Sequence, residues 1–234
     1  MSQLFVLVHA QALGPASWLP VAGQLSSAGL TAVVPVLTGF ADAGPPYAPR
    51  VAALAAEQVH ASPQDEVVLV THSGAGVFTA QLSAAIGVSD MTTIFADAGL
   101  PGQAGAGPVL DGEFLPYLRE IASDGLVPPW HHWWPDEDLS PLFPDEPTRR
   151  AVTSEARSIP LAFFEETLPP APEHWPPRQA GYLLFSEPYR PQAQHAADLG
   201  WPVRELPGEH LHMLIDPVGV AAAIMDLARE SRTN

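Results

Sequence analysis

The sequence predicts an α/β fold, a mostly parallel sheet of about six strands with helices on both faces and one proline-rich insertion. Three observations predict it. Five short apolar runs, Leu4–Val8, Thr31–Leu37, Glu66–Thr71, Thr92–Ala96 and Gly181–Phe185, with a weaker sixth over Pro202–Leu206, lack polar alternation, as strands buried on both faces do. Stretches with helical spacing separate most of them, and strand–helix alternation implies parallel pairing through crossovers. With 234 residues, 47% of them apolar, the chain is long enough for one large domain or one domain with an insertion.

In chain order, Trp18, Val21 and Leu25, extended by Leu30, form the first helical stripe, and Val51, Leu54, Ala55 and Val59 form the second. Val77 to Ile86 follows the third strand, and Val218 to Leu227 closes the chain. Between Pro101 and Pro177 the rhythm breaks. This stretch holds 15 of the 27 prolines, 13 of the 26 acidic residues and four of the six tryptophans. Helices are predicted over Glu113–Ser123 and Glu146–Ser158; the stretch Val127 to Pro135 is too rich in proline, which lacks a donor and fixes φ, to be regular. A disordered segment would not carry so many large aromatics. The expectation is a core of residues 1–100 and 178–234 with an ordered helical cap over 101–177.

Composition excludes several chemistries. A formal charge of −16 with ten Arg and no Lys argues against a nucleic-acid or anionic-membrane partner, since phosphate binding needs clustered cations. No Cys means no disulfide, thiolate metal site or thiol nucleophile, and no Lys means no Schiff-base or phosphate-loop lysine. No apolar run approaches the ~20 residues that span a bilayer. Met1 to Ala10 lacks a basic n-region and has only Leu4–Val8 as its apolar stretch, so it reads as a first strand rather than a signal peptide. The expected location is cytoplasmic.

The sharpest chemical feature is Val67-Val68-Leu69-Val70-Thr71-His72-Ser73-Gly74-Ala75-Gly76-Val77, a buried strand running into a small-residue turn and a helix. A serine on such a turn is held above the sheet near a helix N-terminus, and the next amide can face an oxyanion. Thr71 and Ala75 stand where G-x-S-x-G has glycines. Two more segments complete a pattern: Val6-Leu7-Val8-His9-Ala10 with Trp18-Leu19-Pro20-Val21-Ala22, and Pro207-Gly208-Glu209-His210-Leu211-His212-Met213-Leu214-Ile215-Asp216-Pro217. With Pro35-Val36-Leu37-Thr38-Gly39, which has Val36 in place of the usual Asp, they resemble the α/β-hydrolase family in order and over nearly the whole chain outside the insertion. The resemblance implies a doubly wound sheet with a cap after the fourth strand, and lacks the family's opening hairpin.

It also implies roles. Ser73 would be the nucleophile, needing a neighbouring base. His210 is the favoured base and His212 its competitor, otherwise a pocket histidine. Backbone amides of Gly74 and of Ala10 or Gln11 would form the oxyanion hole. The order Ser, acid, His leaves the acid open: Glu187 after the strand Gly181–Phe185, with a short connection to His210; Asp97 in Phe95-Ala96-Asp97-Ala98-Gly99, otherwise a turn-capping carboxylate; or no acid at all. His9 and His72 are loop-orienting or pocket residues, and no spacing makes a metal site. In the insertion Trp130, Trp133 and Trp134 line an aromatic or acyl pocket or simply pack the proline-rich loop; adjacent His131 and His132 diverge too far to share a metal. Asp136–Asp138 and Asp145–Glu146 read as solvated surface, with Glu165 and Glu166 as lesser pocket candidates.

Three functions follow. The first is a serine hydrolase cleaving an ester, thioester or lactone of a mostly apolar small molecule through an acyl-enzyme, with no cofactor. The second is a lyase or cyclase on a polyketide-like compound, in which Ser73 and His210 do acid–base work. The third is a ligand binder with a degraded triad.

Overall fold

The computed structural model describes residues 3–62, 64–101, 109–110, 114–169 and 175–233. Six strands form one sheet: β1 (Gln3–Val8), β2 (Thr31–Val33), β3 (Glu66–Ser73), β4 (Met91–Ala98), and later β7 (Ala180–Leu184) and β8 (Val203–Glu205). Their order is β2-β1-β3-β4-β7-β8, and every neighbouring pair is parallel. Helices α1 (Leu19–Ser27), α2 (Ala48–Gln58), α3 (Thr79–Ile86), α8 (Arg190–Asp198) and α10 (Pro217–Ser231) supply the crossovers and the close of the chain. The chain steps from β1 outward to β2, then back across β1 to β3 and on to β8. Right-handed crossovers therefore send α1 to one face and α2 and α3 to the other. α10 packs beside α1, and α2 beside α3.

The central strands carry unbroken apolar runs because both faces are covered. Phe5 to Val8, Val67 to Val70 and Ile94 to Ala96 are fully buried. The second strand is shorter than predicted. It sits at the sheet edge and stops before Pro35, which cannot donate to a ladder. Beyond it the Gln58 side chain serves Val36, accepting from its N–H at 2.9 Å and donating to its carbonyl at 3.0 Å.

Between β4 and β7 none of the described residues joins the main sheet. Instead the chain builds α4 (Phe114–Ile121), the strand β5 (Leu126–Val127), a 3-10 turn at Trp130–His132, α5 (Asp136–Leu139), α6 (Glu146–Glu155), β6 (Ile159–Pro160) and α7 (Leu161–Phe164). Glu113, the predicted start of the first of these helices, lies outside the described residues. The second ends at Glu155, three residues early, because Ile159-Pro160 pairs antiparallel with Leu126-Val127. Its start is fixed by Asp145, whose side chain accepts the Thr148 N–H at 2.7 Å.

Two glutamates tie this segment to the core. Glu166 accepts the N–H groups of Tyr47 and Ala48 at the N-terminus of α2, and Glu155 accepts the Ala16 N–H at 2.8 Å. Glu166 is therefore a helix cap and Glu165 pairs with Arg119, so the pocket role considered for both is not what their contacts show. Among the described residues no helix is long and apolar enough to cross a membrane.

Candidate active site

The chain reverses direction across the sheet between β1 and β3, and the C-terminal ends of open α/β strands bordering such a switch form a crevice. Ser73 ends β3 there. Its φ of 56° lies in the left-handed region, a strained conformation for a side chain other than glycine. The turn is held by close approach: a Cβ on Gly76 would lie 2.0 Å from the Gly99 carbonyl oxygen, and the Gly99 N–H donates to the Ser73 carbonyl at 3.1 Å. The steric demand of the turn thus falls on Gly76, while Thr71 and Ala75 fit as buried residues.

Asp97 is shaped by the neighbouring strand. The β3–β4 register runs evenly to His72 opposite Ala96, then jumps to Ser73 opposite Ala98, leaving Asp97 as the extra residue of a bulge. A bulge re-aims a side chain. Asp97 has φ of 44°, and its fully buried carboxylate points away from the ladder to meet His210. The Tyr182 hydroxyl pins the next residue, accepting from the Ala98 N–H at 3.0 Å and donating to its carbonyl at 2.8 Å.

These ends and the His210 loop make one hydrogen-bonded line. Ser73 Oγ lies 3.0 Å from His210 Nε2, and His210 Nδ1 lies 2.7 Å from Asp97 Oδ2. Asp97 also accepts the N–H groups of Phe185 and Ser186, at 2.9 and 3.0 Å, and the Ser186 hydroxyl at 2.5 Å. A buried charge needs such compensation. With the carboxylate on Nδ1, the neutral imidazole carries its proton there and presents Nε2 as an acceptor to Ser73, the arrangement a general base requires.

Glu187, the first expectation for the acid, is elsewhere. Its side chain is 76% exposed and paired with Arg190 at 2.7 Å, while Arg190 also binds Glu205. Water and a guanidinium satisfy Glu187 at the surface, so no force draws it under the imidazole; the carboxylate there is Asp97. His212 opens the short helix α9 (His212–Ile215), with its ring 5.6 Å from Phe185, and does not line the cavity beside Ser73. His9 and His72 do not line it either. Both are fully buried and hold main chain. His9 Nδ1–H donates to the Ala10 carbonyl at 2.8 Å, and burial pulls its pKa down to about 4. His72 Nε2–H donates to the His210 carbonyl at 3.0 Å, and burial, then the neighbouring His210, holds its pKa well below the usual histidine value. Both are neutral at pH 7.

Ser73, His210, Ala10, Gln11 and Gly74 all line one cavity of about 1030 Å³. Its far wall belongs to the insertion: Trp130 and Trp133 are buried, Trp134 is 36% exposed, and Phe114, Phe163 and Phe164 join them. Trp134 stacks on Phe114 at 5.9 Å and meets Trp130 edge-on at 5.5 Å. The tryptophans therefore pack the proline-rich segment and face the cavity at once. Asp138, read as plain surface, also borders it, and among the described residues no arginine does. Two hydroxyls were not anticipated. Ser186 binds Asp97, and Tyr189 places its hydroxyl 3.2 Å from Ser73 Oγ with its ring stacked on His210 at 4.9 Å. The available signal is their place just after β7, on either side of Glu187.

Among the described residues no group of three or more His, Cys, Asp or Glu could hold a metal ion. A family model described as the alpha/beta hydrolase family matches residues 5–223. No curated protein sequence matches significantly. Among solved structures, an extracellular alpha/beta-hydrolase from a Paenibacillus species is 18% identical, with a TM-score of 0.73 over 97% of this chain and 98% of that one. A pyrethroid hydrolase from Sphingobium faniae JZ-2 is 20% identical, with a TM-score of 0.72 over 98% of each chain. Polyneuridine aldehyde esterase is 20% identical, with a TM-score of 0.67 over 97% of this chain and all of that one. At such identities these likenesses establish the fold, and the family model, spanning nearly the whole sequence, establishes more: the chain belongs to the alpha/beta hydrolase family, as an enzyme of the hydrolase class.

Proposed function

We propose that this protein is a serine hydrolase that cleaves an ester, thioester or lactone of a mostly apolar small molecule through an acyl-enzyme. The observation that carries the reading is the unbroken line from Asp97 through His210 to Ser73, opening onto a cavity walled by aromatic rings. His210 Nε2 takes the Ser73 proton as Oγ attacks the carbonyl carbon, and the developing oxyanion is met by backbone amides of Gly74 and of Ala10 or Gln11. The imidazolium, stabilised by Asp97, then protonates the leaving oxygen or sulfur. Water, deprotonated by His210, releases the acyl group and regenerates the serine.

Residues 101–177 act as a cap that selects the substrate, since they supply most of the aromatic wall. With no arginine on the described lining, neutral and apolar substrates are favoured over anionic ones.

A fluorophosphonate probe tests the reading. Stoichiometric labelling of the native protein, abolished by Ser73→Ala, together with turnover of aryl esters, is expected. Labelling without turnover of any ester, thioester or lactone would favour the lyase or cyclase reading. Absence of labelling, with saturable ligand affinity unchanged by Ser73→Ala, would leave only a binder.

A further inference from the structure

The segment after β7 holds two hydroxyls at the reacting groups, and only one of them acts on the acid. The other, that of Tyr189, reaches the nucleophile. Its hydrogen bond to Ser73 Oγ has one permitted direction. Asp97 takes the proton on His210 Nδ1, so Nε2 is an acceptor, and the single Ser73 proton goes to it. Ser73 Oγ then has only lone pairs left, and the Tyr189 hydroxyl at 3.2 Å must be the donor. We propose that Tyr189 is a further catalytic residue of this site, whose phenol donates to Ser73 Oγ while the bond between Oγ and the substrate's carbonyl carbon forms and breaks. This rests on the serine-hydrolase reading above.

Three features make the phenol suited to the task. Burial pushes its pKa up to about 12, so it keeps its proton and remains a donor around neutral pH. Its ring lies nearly parallel to the His210 imidazole, at 2° and 4.9 Å, so hydroxyl and base are held in one stack. Its backbone closes a 3-10 turn, Glu187–Tyr189, through an N–H to the Ser186 carbonyl at 3.1 Å, and Ser186 is itself fastened to Asp97. Acid, base and nucleophile thus each touch a group from a single stretch of four residues.

The proton inventory stays balanced. On attack the Ser73 proton moves to His210 Nε2, the Oγ–C bond forms, and the carbonyl π electrons move to the oxyanion. On collapse the bond to the leaving atom breaks and that atom takes the proton from Nε2. In the second half water gives a proton to His210 Nε2 as its oxygen bonds to the carbonyl carbon, the Oγ–C bond then breaks, and Oγ takes that proton from Nε2. In both halves negative charge passes through Oγ, and a hydrogen bond donated to a charged oxygen is stronger than one donated to a neutral hydroxyl. Tyr189 gains nothing and loses nothing; it stabilises that charge and keeps its own proton.

Tyr189→Phe removes the hydroxyl and keeps the ring, and Tyr189→Leu removes both. The rate constant for fluorophosphonate labelling of Ser73 is measured across pH for each, alongside kcat and KM on an aryl ester. Tyr189→Phe is expected to lower the labelling plateau and kcat by about tenfold to a hundredfold. KM and the pH midpoint are expected to stay in place, because the base is untouched. Tyr189→Leu is expected to fall further, because the ring stacked on His210 is lost with the hydroxyl. Labelling of Tyr189→Phe at or above the wild-type rate overturns the proposal and leaves the serine-hydrolase reading intact. A wild-type protein that is not labelled at all overturns both.

Discussion

Two strand ends border the His210 imidazole, and both carry a carboxylate close in sequence. At the end of β4, Asp97 is fully buried and takes hydrogen bonds from two amides, one hydroxyl and the imidazole. Beyond the end of β7, Glu187 stands in water and shares Arg190 with Glu205. The difference shows that reach along the chain is a weaker criterion than solvation. A carboxylate fully hydrated and salt-bridged at the surface gains little by moving inward. One already desolvated by its strand must be supplied with donors, and here one of the donors is the His210 imidazole.

The sharpest way to break this comparison is to neutralise each carboxylate in turn. Asp97→Asn removes the acceptor that fixes the His210 tautomer, and kcat on an aryl ester is expected to fall about 10³–10⁴-fold. Glu187→Gln under the same assay is expected to stay within about twofold of wild type. Comparable losses in both would dissolve the distinction. Next in size is Gly76→Ala. Its Cβ would collide with the carbonyl of Gly99, two residues from Asp97, so urea unfolding is expected to report a loss of at least about 1–3 kcal/mol.

The buried side of the sheet also carries an acid limit of its own. His9 has a folded pKa of about 4 against about 6.5 when unfolded. Below pH 6.5 the unfolded chain binds the proton that the folded one refuses. Stability is therefore complete above that pH and drains away as pH falls toward 4. From pH 7 to pH 5 the loss from His9 alone is about 2 kcal/mol, measurable as a lower urea midpoint and reduced in His9→Asn. Smallest is Ser186→Ala, which leaves Asp97 with its two amides and the imidazole. A loss of about tenfold in kcat is expected, and an unchanged rate would make the Ser186 hydroxyl idle.

The fold was legible because its signals are local and repeated. Short apolar runs without alternation and rich in β-branched residues, such as Val67–Val70, read as strands covered on both faces. Ser73 and His210 stood out because a strand-to-helix serine turn and a Pro-Gly-x-His loop are compact motifs, and the structure brings the two side chains together. The carboxylate was not legible in the same way. Asp97 and Glu187 both satisfy the chain order, and what separates them is a bulge between His72 and Ser73 on one strand and Asp97 on the next, a register event that leaves no mark on residue type. A hint was present in context: Asp97 sits among Phe95, Ala96, Ala98 and Gly99, an environment too apolar for a free carboxylate. Glu187 has Arg190 three residues on. Tyr189 was harder still, since nothing in Pro188-Tyr189-Arg190 tells which way a ring will turn.

The lining of the cavity has a consequence for turnover. Under the proposed hydrolysis an ester would enter neutral and be indifferent to the field around it, whereas its acid product would leave as an anion at pH 7. It finds no arginine along the described wall to detain it, with Asp138 and Glu209 beside its path and a net charge of −16 on the chain as a whole. On that proposal, electrostatics that barely affect the Michaelis complex push against the product complex, and product inhibition by the carboxylate is expected to be weak.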